Sequence, residues 1–160
     1  MKKTAAIVLI LCLFFCVNSY AANNTLTAIN TRLVQESSNI KSLFKNSRDI
    51  VLLTTMWDSY FIARTQLDAY FYMVALYESV KKGSVTEASV GYLLNWLGEI
   101  RKTNVTNIKT LNAAATVIDQ ATKGAVDRMK TNMSDLNNAV DTEMTRLDSL
   151  KEAVKRKIVR

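Results

Sequence analysis

From Ile108 to the end of the chain, apolar residues return at steps of three and four. The series runs Ile108, Leu111, Ala115, Ile118, Thr122, Ala125, Met129, Met133, Leu136, Val140, Glu143, Leu147, Leu150, Val154 and Ile158. This is the period of a helix with a narrow apolar stripe facing one or two partners, held for about seven heptads. Two members are polar, Thr122 and Glu143. Met144 stands beside the second and is expected to cover it. The remaining sequence leaves little room for another fold class. No proline occurs in 160 residues, and glycine occurs only at 83, 91, 98 and 124. A β-sandwich or an α/β domain of this size needs many more turn residues.

The few punctuation marks predict four helices, at about Thr25–Lys45, Ser47–Lys82, Val85–Thr122 and Ala125–Ile158. Lys81-Lys82-Gly83 reads as a helix end, with cations in the last turn and glycine supplying the left-handed residue beyond it. Ser84-Val85-Thr86-Glu87 reads as a capping box, with Ser84 as N-cap and Glu87 reaching back. Thr122-Lys123-Gly124 repeats the stop signal more weakly, and Asn46-Ser47 with Asp49 is weaker again. Short connections between long helices predict an all-α, up-down antiparallel four-helix bundle. The alternative is a long two-helix hairpin or coiled coil, with 25–82 and 85–158 each nearly continuous. A glycine inside a helix costs only about 1 kcal/mol, so Gly124 alone does not forbid it.

The first 21 residues are expected to be a cleaved signal peptide. Lys2 and Lys3 precede an unbroken apolar run from Ala5 to Val17, and Ser19-Tyr20-Ala21 places small residues at a cleavage site. The run is shorter than the roughly 20 residues a membrane span requires. The short, lysine-only start is of bacterial type. Residues 22–160 would then form one helical-bundle domain, periplasmic or secreted. On that reading the sequons at Asn23, Asn104 and Asn132 are chance.

Composition removes several chemistries. Both cysteines, Cys12 and Cys16, fall in the signal segment, and histidine is absent. Residues 22–160 therefore lack the usual zinc and haem ligands, the commonest general base and any disulfide. No cofactor and no metal are expected, and no pair among Asp, Glu, Tyr, Ser and Lys stands at a diagnostic spacing. The chain is read as not an enzyme. Removing Lys2 and Lys3 leaves 19 basic against 14 acidic residues, a charge of +5. Acidic residues are interspersed among the basic ones, so no stripe for nucleic acid forms.

Two internal features invite a functional reading. Ile50 to Tyr77 is apolar on most faces but holds Asp58, Arg64 and Asp68, too many charges for a membrane span. It is expected to be the central helix of the bundle, with Arg64 and Asp68 paired at i,i+4. Gly91 and Gly98 share one helix face and are expected to make room for aromatics of the second helix, such as Tyr70 or Phe71. The segments Tyr70–Tyr77 and Tyr92–Trp96 flank the 83–84 turn, which predicts an aromatic-rich core at that end.

The candidate binding residues are Lys81, Lys82, Lys151, Lys155, Arg156, Lys157 and Arg160. An up-down order would gather all seven at one pole, as a site for an acidic protein partner or an anionic envelope or membrane surface. The leading reading is an exported, non-enzymatic helical protein that binds such a partner. A membrane-active effector or pore former, and an envelope chaperone, are the alternatives.

Overall fold

The computed structural model describes residues 24–79, 86–114 and 120–158. The expected signal peptide, the Gly83–Ser84 turn, Lys81, Lys82 and Arg160 lie outside the described residues. Four helices form: α1 over 24–43, α2 Ile50–Ser79, α3 Glu87–Ala114 and α4 Gln120–Ile158. No strand occurs among the described residues.

The starts of α2 and α3 are each set by a short polar side chain. Asp49 is the N-cap of α2: its Oδ1 accepts the Leu52 N–H at 3.1 Å, and the Leu53 N–H bonds the Asp49 carbonyl. Ser47 Oγ accepts the Asp49 N–H and braces the cap. Thr86 is the N-cap of α3. Its Oγ1 accepts the Ser89 N–H at 3.1 Å, while Ser89 Oγ accepts the Thr86 N–H at 3.0 Å, a reciprocal box. The cap seen among the described residues is Thr86 closed by Ser89; the expected N-cap, Ser84, lies outside the described residues. Glu87, freed from capping, turns to α4.

The α3–α4 break also differs from the sequence expectation. Thr122 and Gly124 lie inside α4, which begins at Gln120. Thr122 is fully buried with Ala125, Val126 and Met129, so packing on the apolar seam outweighs the helix cost of Gly124. The long hairpin does not form. The chain leaves the helix at 44–49 through turns in which the Asn46 and Ser47 N–H groups bond the Leu43 carbonyl.

The side-chain pairings give the topology. Asn30 of α1 meets Asp68 of α2, and Arg32 and Glu36 of α1 meet Asp135 and Arg128 of α4. Gln66 of α2 meets both Trp96 and Thr103 of α3. Glu87 and Arg101 of α3 meet Lys155 and Asp141 of α4. Between α1 and α4, and between α3 and α4, the pairs run in opposite order, so those helices are antiparallel. Across the diagonal, Tyr60 and Tyr70 of α2 meet Asn132 and Glu143 of α4 in parallel order. The chain is an up-down antiparallel four-helix bundle.

One core fills it. Leu26, Ile29, Leu33 and Ile40 come from α1, and Leu52, Met56, Tyr60, Leu67 and Tyr70 from α2. Val90, Leu97 and Ile100 come from α3, and Met129, Met133, Leu136, Val140 and Leu147 from α4. The expected aromatic-rich end is only partly realised. Tyr70 is buried there, but Phe71, Tyr77 and Trp96 are half-buried, and Tyr72 and Tyr92 stand in solvent. No helix among the described residues is long and apolar enough to cross a membrane.

Candidate functional site

The basic end of α4 packs beside the start of α3. Lys155 Nζ lies 3.2 Å from the Glu87 carboxylate and 3.3 Å from that of Glu152. Glu87, with Glu152 beside it, holds the Lys155 ammonium above its usual value. Lys155 is thus already neutralised twice, and by an acid, Glu87, whose sequence position suggested a cap. Lys151 is half-buried and Arg156 exposed, and neither has an ion-pair partner among the described residues. Lys157 lies in the last turn of α4. Within the described part of the candidate set, Lys151 and Arg156 remain available while Lys155 is occupied.

The polar groups that the structure concentrates are elsewhere, in the core. Glu143 is 3 % exposed. Its Oε1 accepts the Tyr70 O–H at 2.6 Å and an Arg146 Nη2–H at 2.6 Å, and its Oε2 accepts the Arg146 Nε–H at 2.8 Å. A two-pronged guanidinium grip plus a phenol is the strong form of such contacts. Burial first, then the Glu143 charge, pushes the Tyr70 phenol far above its ordinary value. The bond to Glu143 also raises Arg146, against the opposing effect of burial. Three donors occupy the carboxylate, and it sits between helices, so its evident role is to hold α2 and α4 in register. In the sequence Glu143 stands out only as a lapse in the seam beside Met144. The readable signal was a Glu on the seam with an Arg three residues later, which can fold back on it.

Two buried asparagines also pin the bundle. Asn132 donates to the Tyr60 hydroxyl at 3.4 Å, and burial pushes that phenol up to about 12. Asn104 Nδ2 donates to the Met133 carbonyl at 2.6 Å and to Asn137 Oδ1 at 2.9 Å. Asn104 and Asn132 are both buried, which removes them as glycan acceptors.

The remaining sequence candidates sit differently from expectation. Arg64 and Asp68 do pair, at 3.5 Å, but on the surface and not within an aromatic pocket. A Cβ added at Gly91 or Gly98 would meet nothing within 4 Å, so neither glycine makes room for a helix-two aromatic. The Trp96 indole N–H donates to the Gln66 carbonyl at 3.1 Å, so an aromatic anchor joins α2 and α3 where glycine packing was expected. Two clefts among the described residues are shallow grooves along α1 and α4, bridged by Arg32–Asp135 and Glu36–Arg128. No cluster of His, Cys, Asp and Glu suited to a metal ion occurs among the described residues. Comparison with protein-family models, curated proteins and solved structures finds no match.

Proposed function

We propose that this chain is an exported, non-enzymatic helical protein that docks on an anionic envelope component through the cationic end of α4. Export is supported by Lys2-Lys3, the Ala5–Val17 run and Ser19-Tyr20-Ala21. Docking is supported by one contact above all. The Lys155–Glu87 ion pair brings the end of α4 to the start of α3, next in sequence to Lys81 and Lys82. Lys151 and Arg156 are left to face an external anion.

Each cation held near an anionic surface contributes about 1 kcal/mol, and the attraction weakens as added salt shortens the Debye length. The test is co-sedimentation with phosphatidylglycerol-containing and with neutral vesicles, at low and physiological salt. The variant to run beside the parent is Lys151→Gln, Arg156→Gln, Lys157→Gln and Arg160→Gln together. Lys155 is left in place, because its removal would strand Glu87 and Glu152. Salt-sensitive binding to the anionic vesicles, lost in the variant, supports the reading. Equal sedimentation of parent and variant sinks it. Capture of an acidic protein with no vesicle binding would move the site to a protein partner. Export is checked separately, by an N-terminus at Ala22 in the mature protein.

A further inference from the structure

The arginines of the bundle divide by position. Arg32, Arg64, Arg101, Arg128 and Arg146 lie along the helices, and each pairs with a carboxylate. Arg48, in the turn between α1 and α2, and Arg156, near the end of α4, have no ion-pair partner among the described residues. These two stand at opposite ends of the molecule. The Glu36–Arg128 pair sets the second half of α1 level with the start of α4, and Arg156 lies about 42 Å further along α4. That is several Debye lengths at physiological salt, so each end presents its own field.

Lys41, Lys45 and Lys123 share the end that holds Arg48. All are exposed, and none has an ion-pair partner among the described residues. Lys41 follows Glu36 by little more than a turn and Lys123 precedes Arg128 by the same distance, so both stand beyond that pair, toward the turn. The described acids nearby do not cancel them. Asp49 Oδ1 is engaged in capping α2, and Asp127 is one exposed carboxylate against four cations.

The same turn shows apolar side chains to solvent. Ile50 and Val51 open α2 and are 50 and 76 % exposed, and burial begins only with Leu52 and Leu53. Phe44, on the other side of the turn, is partly buried, and Lys41 Nζ lies 5.7 Å over the Trp57 ring.

We infer that the α1–α2 turn is a docking surface for an anionic lipid bilayer, with Ile50 and Val51 entering the interface among the cations. It is separate from the end of α4 and does not rest on the function proposed for that end. The mixture of side chains selects the partner. A soluble polyanion would satisfy Lys45 and Arg48 and leave Ile50 and Val51 in water. A bilayer takes both, since its head groups meet the cations and the acyl boundary just below takes the apolar side chains.

The experiment starts from the variant with Lys151→Gln, Arg156→Gln, Lys157→Gln and Arg160→Gln, so that the turn is the main cationic end left. All proteins share one N-terminus. This variant should keep salt-sensitive co-sedimentation with phosphatidylglycerol-containing vesicles and not with neutral ones. Adding Lys45→Gln with Arg48→Gln should lower that binding tenfold or more, since each cation contributes roughly fivefold in affinity. Adding Ile50→Ser with Val51→Ser instead should lower it to a similar degree, with the helical circular dichroism unchanged in both. No binding by the starting variant overturns the proposal, and so does a loss confined to one of the two added pairs or seen with neither. Failure of the α4 reading is recognised separately, by equal binding of the parent and the starting variant. A second readout locates the contact. In a chain with Cys12→Ala and Cys16→Ala, a nitrobenzoxadiazole label on Val51→Cys should brighten on anionic vesicles, and the same label on Thr106→Cys, on the exposed side of α3, should not. Brightening at both positions would mean adsorption of the whole molecule and overturn the proposal, as would brightening at neither.

Discussion

The Tyr70 hydroxyl donates to the Glu143 carboxylate at 2.6 Å across the diagonal of the bundle, joining α2 to α4. Arg146, one turn beyond, grips the same carboxylate with two N–H groups. Removing a partner from a buried ion pair leaves an uncompensated charge and is costly. Arg146→Ala should therefore destabilise by about 3 kcal/mol, reduced somewhat because the guanidinium keeps partial access to water. Tyr70→Phe leaves the pair intact and removes one charge-assisted bond, at about 1.5–3 kcal/mol. Replacing both groups with apolar ones, as in Tyr70→Phe with Glu143→Leu, should cost less than the sum of the single changes. Urea titration of the parent, the two single variants and the double variant measures the coupling. Strict additivity would show that the two residues do not act as a unit.

Alkaline pH should unfold the bundle through its buried phenols. Tyr60 is raised from 10.0 to about 12 by burial, and Tyr70 is raised further. An unfolded tyrosine ionises near pH 10, while the folded one keeps its proton. Above pH 10 the unfolded state therefore binds fewer protons, and stability falls as pH rises. For Tyr60 the loss over pH 10–12 is roughly 2–3 kcal/mol, since each tenfold difference in proton affinity between the two states is worth about 1.4 kcal/mol. Stability should be flat with respect to these groups below pH 9. Tyr60→Phe should flatten the alkaline limb of a plot of thermal midpoint against pH. An unchanged limb in that variant would refute the assignment.

The period of the apolar seam was enough to read the architecture. Steps of three and four from Ile108 onward, with no proline, leave antiparallel helices as the main way to bury such stripes. The boundaries were less legible because they depend on which of several adjacent polar residues caps. Ser84, Thr86 and Asp49 all have suitable side chains, and local sequence does not rank them. Gly124 looked like a terminator, but burial of Thr122 and Val126 on either side of it decides in favour of helix.

Glu143 was legible only as a defect in the seam, since its phenol partner comes from a helix 73 residues away. The exposure of Ile50 and Val51 at the start of α2 was hidden for a related reason. A helix that is apolar on every face does not say which face its neighbours will cover.

Gly91 and Gly98 now carry the opposite expectation from the one their spacing suggested. An added methyl group at either meets open space. Glycine is the poorer helix former by roughly 0.8–1.0 kcal/mol, mostly through the entropy it loses on folding. Gly91→Ala and Gly98→Ala should each raise stability by about that amount, and the double change should be additive because the sites are two turns apart. Denaturant midpoints with unchanged slopes would confirm it. Destabilisation by either alanine would show a close neighbour and restore the packing role.

The start of α3 gives a test of cap assignment in which the sequence and the structure predict different residues. Thr86 and Ser89 satisfy each other's backbone N–H groups, and Glu87 is engaged with Lys155. Thr86→Ala should cost about 1 kcal/mol, within the 0.5–2 range for a lost N-cap. Ser89→Ala removes the reciprocal bond and should cost a few tenths to 1 kcal/mol. Glu87→Gln should change little, because a surface ion pair contributes only about 0–1 kcal/mol and salt screens it further. If Ser84 were the cap instead, the ranking would invert: Ser84→Ala and Glu87→Gln would be costly and Ser89→Ala silent. Chemical denaturation of the four single variants distinguishes the two boxes, and a costly Glu87→Gln at high salt is the result that would reject Thr86 as the cap.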